Sequence, residues 1–490
     1  MCHWTGTILY SFLRALLLRV DPFWLQLCYF VTLFMLGYLS LSILEPRSPM
    51  NRPKSYDLLF TAVSAVTVSS MATVEMEVFS NTQLFCLAIL MLLGGEVFTS
   101  LLELQIQIFK LSERKSASCT PSSNMNVENG LMSTNSNIDL KYKSMKFLGI
   151  TVLWYFFTVQ VIGYLLVSLY VGLVVSIKEV LMNKKLNLQV FSIVTTISTF
   201  TNCGFLPTNE SMMVFKNNLG LQMILIPLVL LGNTLYPVFL RLVLLLLGKI
   251  SIREEMKYVL ENEDELRYRH LLSGVDSWYL SLTSIGFIFI QFVLLISIGW
   301  KSQAMHGLNT LEKVVGSLFQ VTNTRHTGES VFDLSLISPA IIVLIVTMMY
   351  LPAYTYFLPR EDTRTLSSTN KCNKEKNKIS IGFLLLSPLP ILVIIIMLIC
   401  ITESDKMQKD PLNFNVLNVI FEVISAYGNV GFSLGYSCKR QLQPYQECRD
   451  ACYGFVGRWS YISKHILVLA MIFGRLRKFH ERGGKAWKLS

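Results

Sequence analysis

Charged residues are scarce in this sequence. Only 15% of its 490 residues are Asp, Glu, Lys or Arg, whereas a soluble domain carries about 25%. The chain is 52% hydrophobic, and its mean hydropathy is +0.48. These values exclude an ordinary soluble protein and predict an integral membrane protein.

Several kinds of chemical site are also missing. The ten cysteines include no CxxC pair, which argues against a zinc or redox centre, and no GxxxxGK[ST] sequence supports ATP hydrolysis by this chain. With only six histidines, one acid/base set can be assembled, and no nucleophile accompanies it. Its members are Arg325, His326, Glu329 and His465. We therefore expect no enzyme, no cofactor and no structural metal, with a membrane-embedded enzyme as the weaker alternative.

Eight apolar stretches are candidates for membrane spans, each of which needs about 20 residues. They are residues 24–44, 83–105, 147–176, 219–247, 277–299, 334–357, 381–401 and 462–474 with its flanks. The net charge of +11 is unevenly spread, because the predicted inside segments hold 24 Lys and Arg and the longer outside segments hold 16. The inside segments are 1–23, 111–146, 248–275, 359–378 and 475–490. This positive-inside bias places both termini in the cytoplasm and argues against nucleic acid as a partner.

A fourfold repeat relates the spans. Between the members of each pair lies a stretch of about a dozen residues at helical apolar spacing, followed by a polar loop. These loops are centred on Ser70, Gly204, Gly328 and Gly431. Such a half-helix is too short to cross a membrane, and irregular backbone at that depth must line protein or a water-filled cavity. The sequence predicts an all-α integral membrane fold: four membrane-pore-membrane repeats, with eight transmembrane helices and four re-entrant loops around one pore.

The repeat also predicts the domain boundaries. Repeats A to D, with their pore loops, are 24–110 (57–76), 147–247 (187–208), 276–358 (309–330) and 380–490 (413–437). The first 23 residues form an amphipathic lead-in. Residues 111–146 are Ser/Asn-rich and expected to be disordered, 248–275 form a charged linker without a core of its own, and 359–379 form a basic linker.

Glycine at matching places in three loops suggests a specific backbone structure. Successive carbonyls point at one axis only if some residues adopt positive φ, which glycine permits and a residue with a Cβ resists. Gly204, Gly328 and Gly431 fit this requirement, whereas Ser70 breaks it. Such rings of carbonyls replace the hydration shell of an ion. The flanking candidates are Thr67, Val68, Ser69, Asn202, Cys203, Thr327, Asn429 and Val430.

Seven phrases in order resemble one family over nearly the whole chain from about residue 24. They are TVSSMATVEMEVFSN, LMLLGGEVFTSLL, TNCGFLPTNE, NTRHTGES, YLPAYT, AYGNVGFSLGYSC and GFVGRWS. The chain resembles the plant high-affinity potassium transporter (HKT) family, a branch of the Trk/Ktr/HKT superfamily. The resemblance implies four repeats around a single pore, binding of Na⁺ through backbone carbonyls, and a possible homodimer in the lipid bilayer.

The family also divides at the first loop, where serine marks a largely sodium-selective subclass and glycine a subclass that also carries potassium. Ser70 therefore implies a passive, channel-like sodium transporter of the plasma membrane. A Na⁺/K⁺ co-transporter or a K⁺-permeable uptake transporter is the alternative. Physically, the extra Cβ and hydroxyl reduce the symmetry of one ring and can narrow it or add a ligand. The hydroxyl could instead cap neighbouring backbone, which explains no selectivity.

A basic residue below the filter is a candidate gate. The last span ends in MIFGRLRKF, and the superfamily's equivalent arginine lies beneath the filter as an electrostatic barrier. By motif this residue is Arg475. The alternative is a side chain that extends to the cytoplasmic interface, which is our interpretation of Arg477 and Lys478.

The remaining polar residues near the loops have two interpretations each. Glu75, Glu77, Arg325, His326 and Glu329 either attract cations at the outer mouth or brace the loops, with the third-loop residues paired to one another. We favour bracing, and we expect Asn202 and Asn429 to bond to backbone.

Three further features concern loops and helix ends. Pro352 and Pro359 bend or end the second span of repeat C. Asn209 begins a glycosylation sequon that its position near Gly204 could shield. Three external cysteines form either a disulfide or free thiols, namely Cys438, Cys448 and Cys452.

Overall fold

The computed structural model of the chain describes residues 22–47, 52–118, 128–250, 254–266, 268–325, 327–359, 388–441, 448, 450, 452–480 and 486–489. Helices dominate these residues. In chain order they are α1 (Pro22–Ile43), α2 (Ser55–Val66), α3 (Asn81–Gly94), α4 (Glu96–Ser118), α5 (Glu128–Leu173), α6 (Val175–Asn183), α7 (Leu188–Thr201), α8 (Leu219–Gly232), α9 (Tyr236–Ile250), α10 (Glu254–Glu261), α11 (Glu263–Leu266), α12 (Gly274–Gly299), α13 (Thr310–Asn323), α14 (Pro339–Tyr350), α15 (Pro388–Thr402), α16 (Ser404–Lys409), α17 (Val416–Gly428) and α18 (Tyr461–His480).

One small strand pair adds to this all-helical fold. Strand β1 (Tyr356–Pro359) pairs in parallel with β2 (Ala486–Leu489). The segment that follows α14 in repeat C is therefore joined to residues beyond α18, at the end of repeat D.

The helices form the expected repeat, in which an outer helix, a short pore helix and an inner helix follow one another four times. The outer helices are α1, α5, α12 and α15, the pore helices are α2, α7, α13 and α17, and the inner helices are α3–α4, α8–α9, α14 and α18. Each pore helix buries one phenylalanine completely in a shared core; these are Phe60, Phe191, Phe319 and Phe421. The predicted membrane-pore-membrane fold is confirmed.

Local sequence explains where the pore helices begin and end. Side-chain oxygens of Asn187 and Asn415 cap the first backbone N–H groups of α7 and α17, as N-cap asparagines do. Asn202 and Asn429 end the same helices in the left-handed conformation, which asparagine adopts more readily than most residues. The pore helices are only 12 to 14 residues long, too short to span a bilayer.

The inner helices of repeats A and B differ from the predicted uninterrupted spans, and that of repeat C ends where proline was predicted to bend or end it. The predicted span 83–105 bends by 51° between α3 and α4, and the span 219–247 bends by 83° between α8 and α9. In the span 334–357, α14 stops at Tyr350, just before Pro352, as proline restricts the residue ahead of it. Only in repeat D does the inner helix, α18, run through the corresponding place without a break.

Because of these breaks, few helices qualify as spans by length and composition alone. Among the described residues three do so, or up to five if each bent pair counts as one span. Large apolar side chains are nevertheless exposed along the outer helices, for example Trp154, Leu169, Phe289 and Ile401. Such a surface suits an integral membrane protein.

Two linkers depart from the sequence analysis. Much of the Ser/Asn-rich linker expected to be disordered is helical, since α4 extends to Ser118 and α5 begins at Glu128; Asp139 pairs there with Lys115 and Lys143. The charged linker does not lie free either, because Val259 and Leu266 are buried against repeats A and B. Residues 1–21 of the lead-in and 360–379 of the basic linker lie outside the described residues.

Candidate functional site

The four predicted loop centres meet in a ring, called here the loop ring (Ser70, Gly204, Gly328 and Gly431). A Cβ built on Gly204 would lie 1.8 Å from the carbonyl oxygen of Thr327, and one on Gly328 would lie 2.2 Å from that of Val430. One on Gly431 would lie 2.2 Å from the Cβ of Ser70. Each position therefore abuts the next repeat, in the order A, B, C, D and back to A.

The ring residues all have a positive φ. Their φ values are +51° at Ser70, +93° at Gly204, +66° at Gly328 and +99° at Gly431. Two residues earlier, Val68, Asn202 and Asn429 also have positive φ, between 49° and 57°. Alternating conformations of this kind turn successive carbonyls toward a common axis, as a carbonyl-lined ion site requires.

The φ values explain why serine fits the first position although it carries a Cβ. A residue with a side chain can adopt the left-handed region only near φ of +50° to +70°, and Ser70 lies within it at +51°. Gly204 and Gly431 lie outside it. Gly328 lies inside it at +66°, but its Cβ would strike the carbonyl oxygen of Val430. The sequence analysis expected Ser70 to break the loop geometry, but the structure shows that it does not. Ser70 occupies the one ring position that accommodates a Cβ.

Serines of the pore helices hold the loops from behind. Ser198 and Ser425 accept hydrogen bonds from the backbone N–H groups of Gly204 and Gly431 at 2.9 Å and 3.1 Å. In repeat A, Ser64 accepts instead from Met71, one residue beyond the ring position, at 2.8 Å. All four pore helices end at the ring, and the partial negative charge of their C-terminal ends favours a cation there.

Next to the ring positions, two hydrogen bonds between side chains join neighbouring repeats. Thr327 donates to the side-chain oxygen of Asn202 at 2.6 Å, which joins repeats C and B. Asn429 donates to the hydroxyl of Ser69 at 2.9 Å, which joins repeats D and A. We call these bonds the two clasps. The two asparagines also bond to backbone carbonyls of Val229 and Met471, as sequence analysis expected, but their link to the next repeat was missed.

A buried acid in the last pore helix was also missed. Glu422 is fully buried, and one of its oxygens accepts from the hydroxyl of Ser433 at 2.5 Å and the N–H of Leu434 at 3.3 Å. Gln320 does the same in repeat C, where it accepts from the N–H of Val331 at 3.0 Å. The signal was available in the aligned phrases FEVIS and FQVTN, in which a polar residue follows the buried phenylalanine.

The third-loop residues brace the structure separately, not as the expected ion pairs. Both Arg325 and Glu329 are described and buried, and no ion pair joins them. Arg325 donates to the carbonyl oxygens of Pro352 and Ala353 at 2.7 Å and 3.3 Å, and Thr199 donates to Glu329 at 2.6 Å. His326 lies outside the described residues.

Arg475 reaches the break in repeat A. It is 2% exposed and donates to the carbonyl oxygen of Gly94, the last residue of α3. Phe30 lies 5.9 Å from its guanidinium group. A helix end leaves backbone carbonyls without partners, and the arginine satisfies one of them. It does not extend to an interface, so the interpretation as a snorkelling side chain is wrong for this residue.

Glycines explain the close packing around these breaks. A Cβ built on Gly94 would lie 2.0 Å from the carbonyl oxygen of Val66, and one on Gly232 would lie 1.7 Å from that of Phe200. In α18, a Cβ built on Gly474 would lie 1.9 Å from the carbonyl oxygen of Tyr427. Three inner helices thus press against a pore helix at a glycine, and in repeat D the next residue is Arg475.

Beyond the ring, Glu77 braces the loops of repeats A and B. Lys184 contacts its carboxylate at 2.5 Å and that of Glu210 at 2.6 Å. Partial burial opposes the charge of Lys184, but the hydrogen bonds to these two carboxylates raise its pKa. The side-chain oxygen of Asn209 accepts from the N–H of Glu77 at 2.9 Å, so this residue also joins the two loops.

Repeat D covers the same region. Cys438 and Cys448 form a disulfide, whereas Cys452 is an exposed free thiol. The N–H of Cys452 donates to Glu75 at 3.4 Å, which places this acid among bracing contacts. Within the described residues, no group of three His, Cys, Asp or Glu side chains is arranged to hold a metal ion.

Comparison with known proteins agrees with this architecture. The sequence profile of the family described as "TrkH: Cation transport protein" matches residues 31–356 and 384–480. The solved structure of the potassium transporter TrkH from Vibrio parahaemolyticus superposes with a TM-score of 0.52 over 94% of this chain and 83% of its own, at 12% identity. At that identity the likeness concerns the fold alone.

Plant proteins are much more similar in sequence. The chain is 44% identical to cation transporter HKT1;3 of Oryza sativa subsp. japonica, over 99% of this chain and 94% of the relative. It is 45% identical to sodium transporter HKT1 of Arabidopsis thaliana, over 92% of each. With the fourfold repeat and the loop ring, these matches show that the chain belongs to the HKT family of Trk-type cation transporters.

Proposed function

We propose that this protein is a passive, channel-like, sodium-selective cation transporter, and that the loop ring is its selectivity filter. One observation carries the proposal: Ser70 has a positive φ, as the three ring glycines do, and adds a side chain at that level. Its hydroxyl oxygen would lie 3.1 Å from a Cβ on Gly204 and 3.0 Å from one on Gly431. The serine side chain is therefore wedged between two neighbouring loops.

This wedge favours the smaller ion for two reasons. It occupies space on one side of the ring, which disfavours the larger K⁺, and its hydroxyl is an additional oxygen ligand close to the carbonyls. Cavity size and ligand field are the two competing explanations of discrimination between K⁺ and Na⁺, and the wedge would act through either. The name of the Arabidopsis relative, a sodium transporter, agrees with this direction.

Arg475 supplies the second part of the proposed mechanism. A fixed positive charge on the conduction path repels cations, and a buried charge of this kind usually faces a cavity or a functional site. We assign it the role of an electrostatic barrier below the filter. Its bond to the Gly94 carbonyl holds the guanidinium group in place at the end of α3.

The setting follows from the same reasoning. We place the transporter in the plasma membrane with both termini in the cytoplasm, in contact with lipid, without a cofactor, and with Na⁺ as the carried ion; a homodimer is the expected assembly. Coupled Na⁺/K⁺ transport or K⁺ permeation is the alternative. The exposed apolar outer helices support contact with lipid, and the family membership supports a transporter over a membrane-embedded enzyme.

The test is the reversal potential in voltage-clamped oocytes, with external Na⁺ and K⁺ exchanged. The native current should follow Na⁺ alone, and Ser70→Gly should gain K⁺ permeability because the wedge is lost. Ser211→Gly is the matched control, since Ser211 also has a positive φ, +55°, but lies outside the ring.

Each outcome has a defined meaning. If the control keeps the native reversal potential while Ser70→Gly changes it, the proposal stands. Equal K⁺ permeability of the native protein and Ser70→Gly would contradict the role of Ser70. A native current that requires both ions together would favour the co-transporter.

A further inference from the structure

The charged linker between repeats B and C enters the region beneath the loop ring. Tyr268 is 5% exposed and His270 is 3% exposed. Both lie in the short irregular stretch between α11 and α12. A tyrosine and a histidine of a predicted cytoplasmic linker have no reason to be buried so completely unless they pack against something specific.

Their partners belong to three different inner segments. The hydroxyl of Tyr268 lies 3.1 Å from that of Ser100 in α4 and 2.8 Å from that of Tyr236, the first residue of α9. The Nδ1 atom of His270 lies 3.0 Å from the hydroxyl of Tyr354, just after α14. Each partner follows the break of its inner helix, in repeats A, B and C respectively.

Ring contacts and ion pairs reinforce these bonds. The ring centroid of His270 lies 5.1 Å from that of Tyr236 and 5.5 Å from that of Tyr354. Arg269 pairs with Glu103 of α4 at 3.3 Å. At the linker's other end, Arg241 of α9 contacts Glu263 at 2.7 Å. The linker is therefore fixed to repeat B ahead of the buried pair, by Glu263, and to repeat A within it, by Arg269.

We propose that Tyr268 and His270 are positioning residues of the permeation path, which hold together the segments that follow the three helix breaks. The fourth inner helix is unbroken and needs no such tie. Because the three segments move apart only if these bonds break, the linker favours the narrow state of the path below the ring. This inference rests on the proposed conduction of cations through the ring.

A substitution by phenylalanine removes the hydroxyl of Tyr268 and keeps its aromatic side chain. Tyr268→Phe should raise the current per transporter at the cell surface, because the loss of a hydrogen bond shifts an equilibrium by about two- to tenfold. The reversal potential should stay native, since the loop ring is untouched. Tyr258→Phe is the matched control: its hydroxyl bonds to Glu265 at 2.8 Å, within the linker itself. Surface copies are counted by labelling of an external epitope.

A charge exchange gives an independent measurement. Arg269→Glu should also raise the current, and the double variant Glu103→Arg with Arg269→Glu should restore it, which a general packing defect would not do. Hydrogen exchange on the purified full-length protein adds a readout without transport: amides of residues 268–272 should exchange faster in Tyr268→Phe than in the native protein or in Tyr258→Phe.

The outcomes separate the two proposals. Native or reduced current and native exchange in Tyr268→Phe would overturn the positioning role. A changed reversal potential would also overturn it, because the linker would then act on selectivity. Absence of current from the native protein would count against the proposed function, whereas the exchange measurement would still test the tie itself.

Discussion

At the residue scale, a few degrees of backbone rotation decide which side chain the loop ring accepts. Ser70 and Gly328, in repeats A and C, have φ of +51° and +66°, whereas Gly204 and Gly431, in repeats B and D, have +93° and +99°. The first pair lies in the left-handed region open to residues with a Cβ, and the second pair does not. A left-handed residue other than glycine still costs about 1 to 3 kcal/mol, so the fold sustains some strain at Ser70.

This difference predicts that Gly431→Ala abolishes transport. The new Cβ would lie 2.2 Å from that of Ser70 and 2.8 Å from the carbonyl oxygen of Ser69, and φ of +99° adds strain. Overpacking of this kind costs about 1 to 3 kcal/mol. Sodium current and the thermal unfolding midpoint of purified protein are the measurements.

Gly435→Ala is the control for that prediction. Gly435 has φ of +63°, and a Cβ there meets nothing within 4 Å. This variant should be destabilised only by the backbone strain of a left-handed alanine, and it should keep its current. If both alanine variants conduct like the native protein, the ring is not as closely packed as the contacts at Gly431 indicate.

At the element scale, the main difference between the repeats lies in their inner helices. Three of them stop or bend beneath the ring, and polar side chains satisfy the carbonyls left there: Tyr155 donates to Leu231 at 2.8 Å, and Arg325 to Pro352 at 2.7 Å. Helix α18 continues without a break, and its Arg475 donates to the carbonyl oxygen of Gly94 at the break of repeat A. The continuous helix therefore completes a broken one.

We predict that Arg475→Gln increases the cation current several-fold without a change in reversal potential. The substitution removes a positive charge from the proposed path, which lowers the electrostatic barrier, and leaves the loop ring intact. Currents per surface copy in oocytes provide the measurement. Arg477→Gln, two residues further along the same helix and beside Phe473, should leave the current unchanged. An equal rise in both variants would contradict a specific barrier at Arg475.

Much of the arrangement of helices and loops was predictable from sequence, for a physical reason. Apolar length and the polar loop centres indicated the four repeats, because both properties are local. The breaks in repeats A and B were not predicted, since Gly94 and Gly232 are determined by the approach of a carbonyl from another helix. The end of the inner helix in repeat C was predicted, because Pro352 is a local signal. The burial of Tyr268 and His270 was missed for the same reason: the surrounding linker is highly charged, and its partners lie in three distant segments.

At the scale of the whole molecule, the backbone repeats four times, but the side-chain contacts next to the ring differ between the repeat boundaries. The two clasps join B to C and D to A. Between A and B the corresponding pair is Val68 and Cys203; between C and D it includes His326, which lies outside the described residues. The ring φ values alternate in the same way. Next to the ring, the described boundaries are thus of two kinds, which a comparison of loop sequences alone did not indicate.

We expect Thr327→Val to lower the unfolding midpoint and to weaken discrimination between Na⁺ and K⁺. It removes one hydroxyl, gives repeat C the residue that repeat D has at Val430, and leaves the buried oxygen of Asn202 without this donor, at a cost of about 1 to 3 kcal/mol. Thr347→Val removes an exposed helical hydroxyl and should change neither property. Unaltered stability and selectivity in Thr327→Val would show that the clasp between B and C is dispensable.

The contact of each ring residue with the next repeat also limits how such a chain can evolve. The four repeats resemble copies of one unit, and copies usually diverge independently. Here a larger residue in one copy is accommodated only if its neighbour stays small, as Gly431 does beside Ser70. A substitution at one ring position therefore restricts which residues the neighbouring position can accept. Adjacent copies are expected to change together at the ring, not independently.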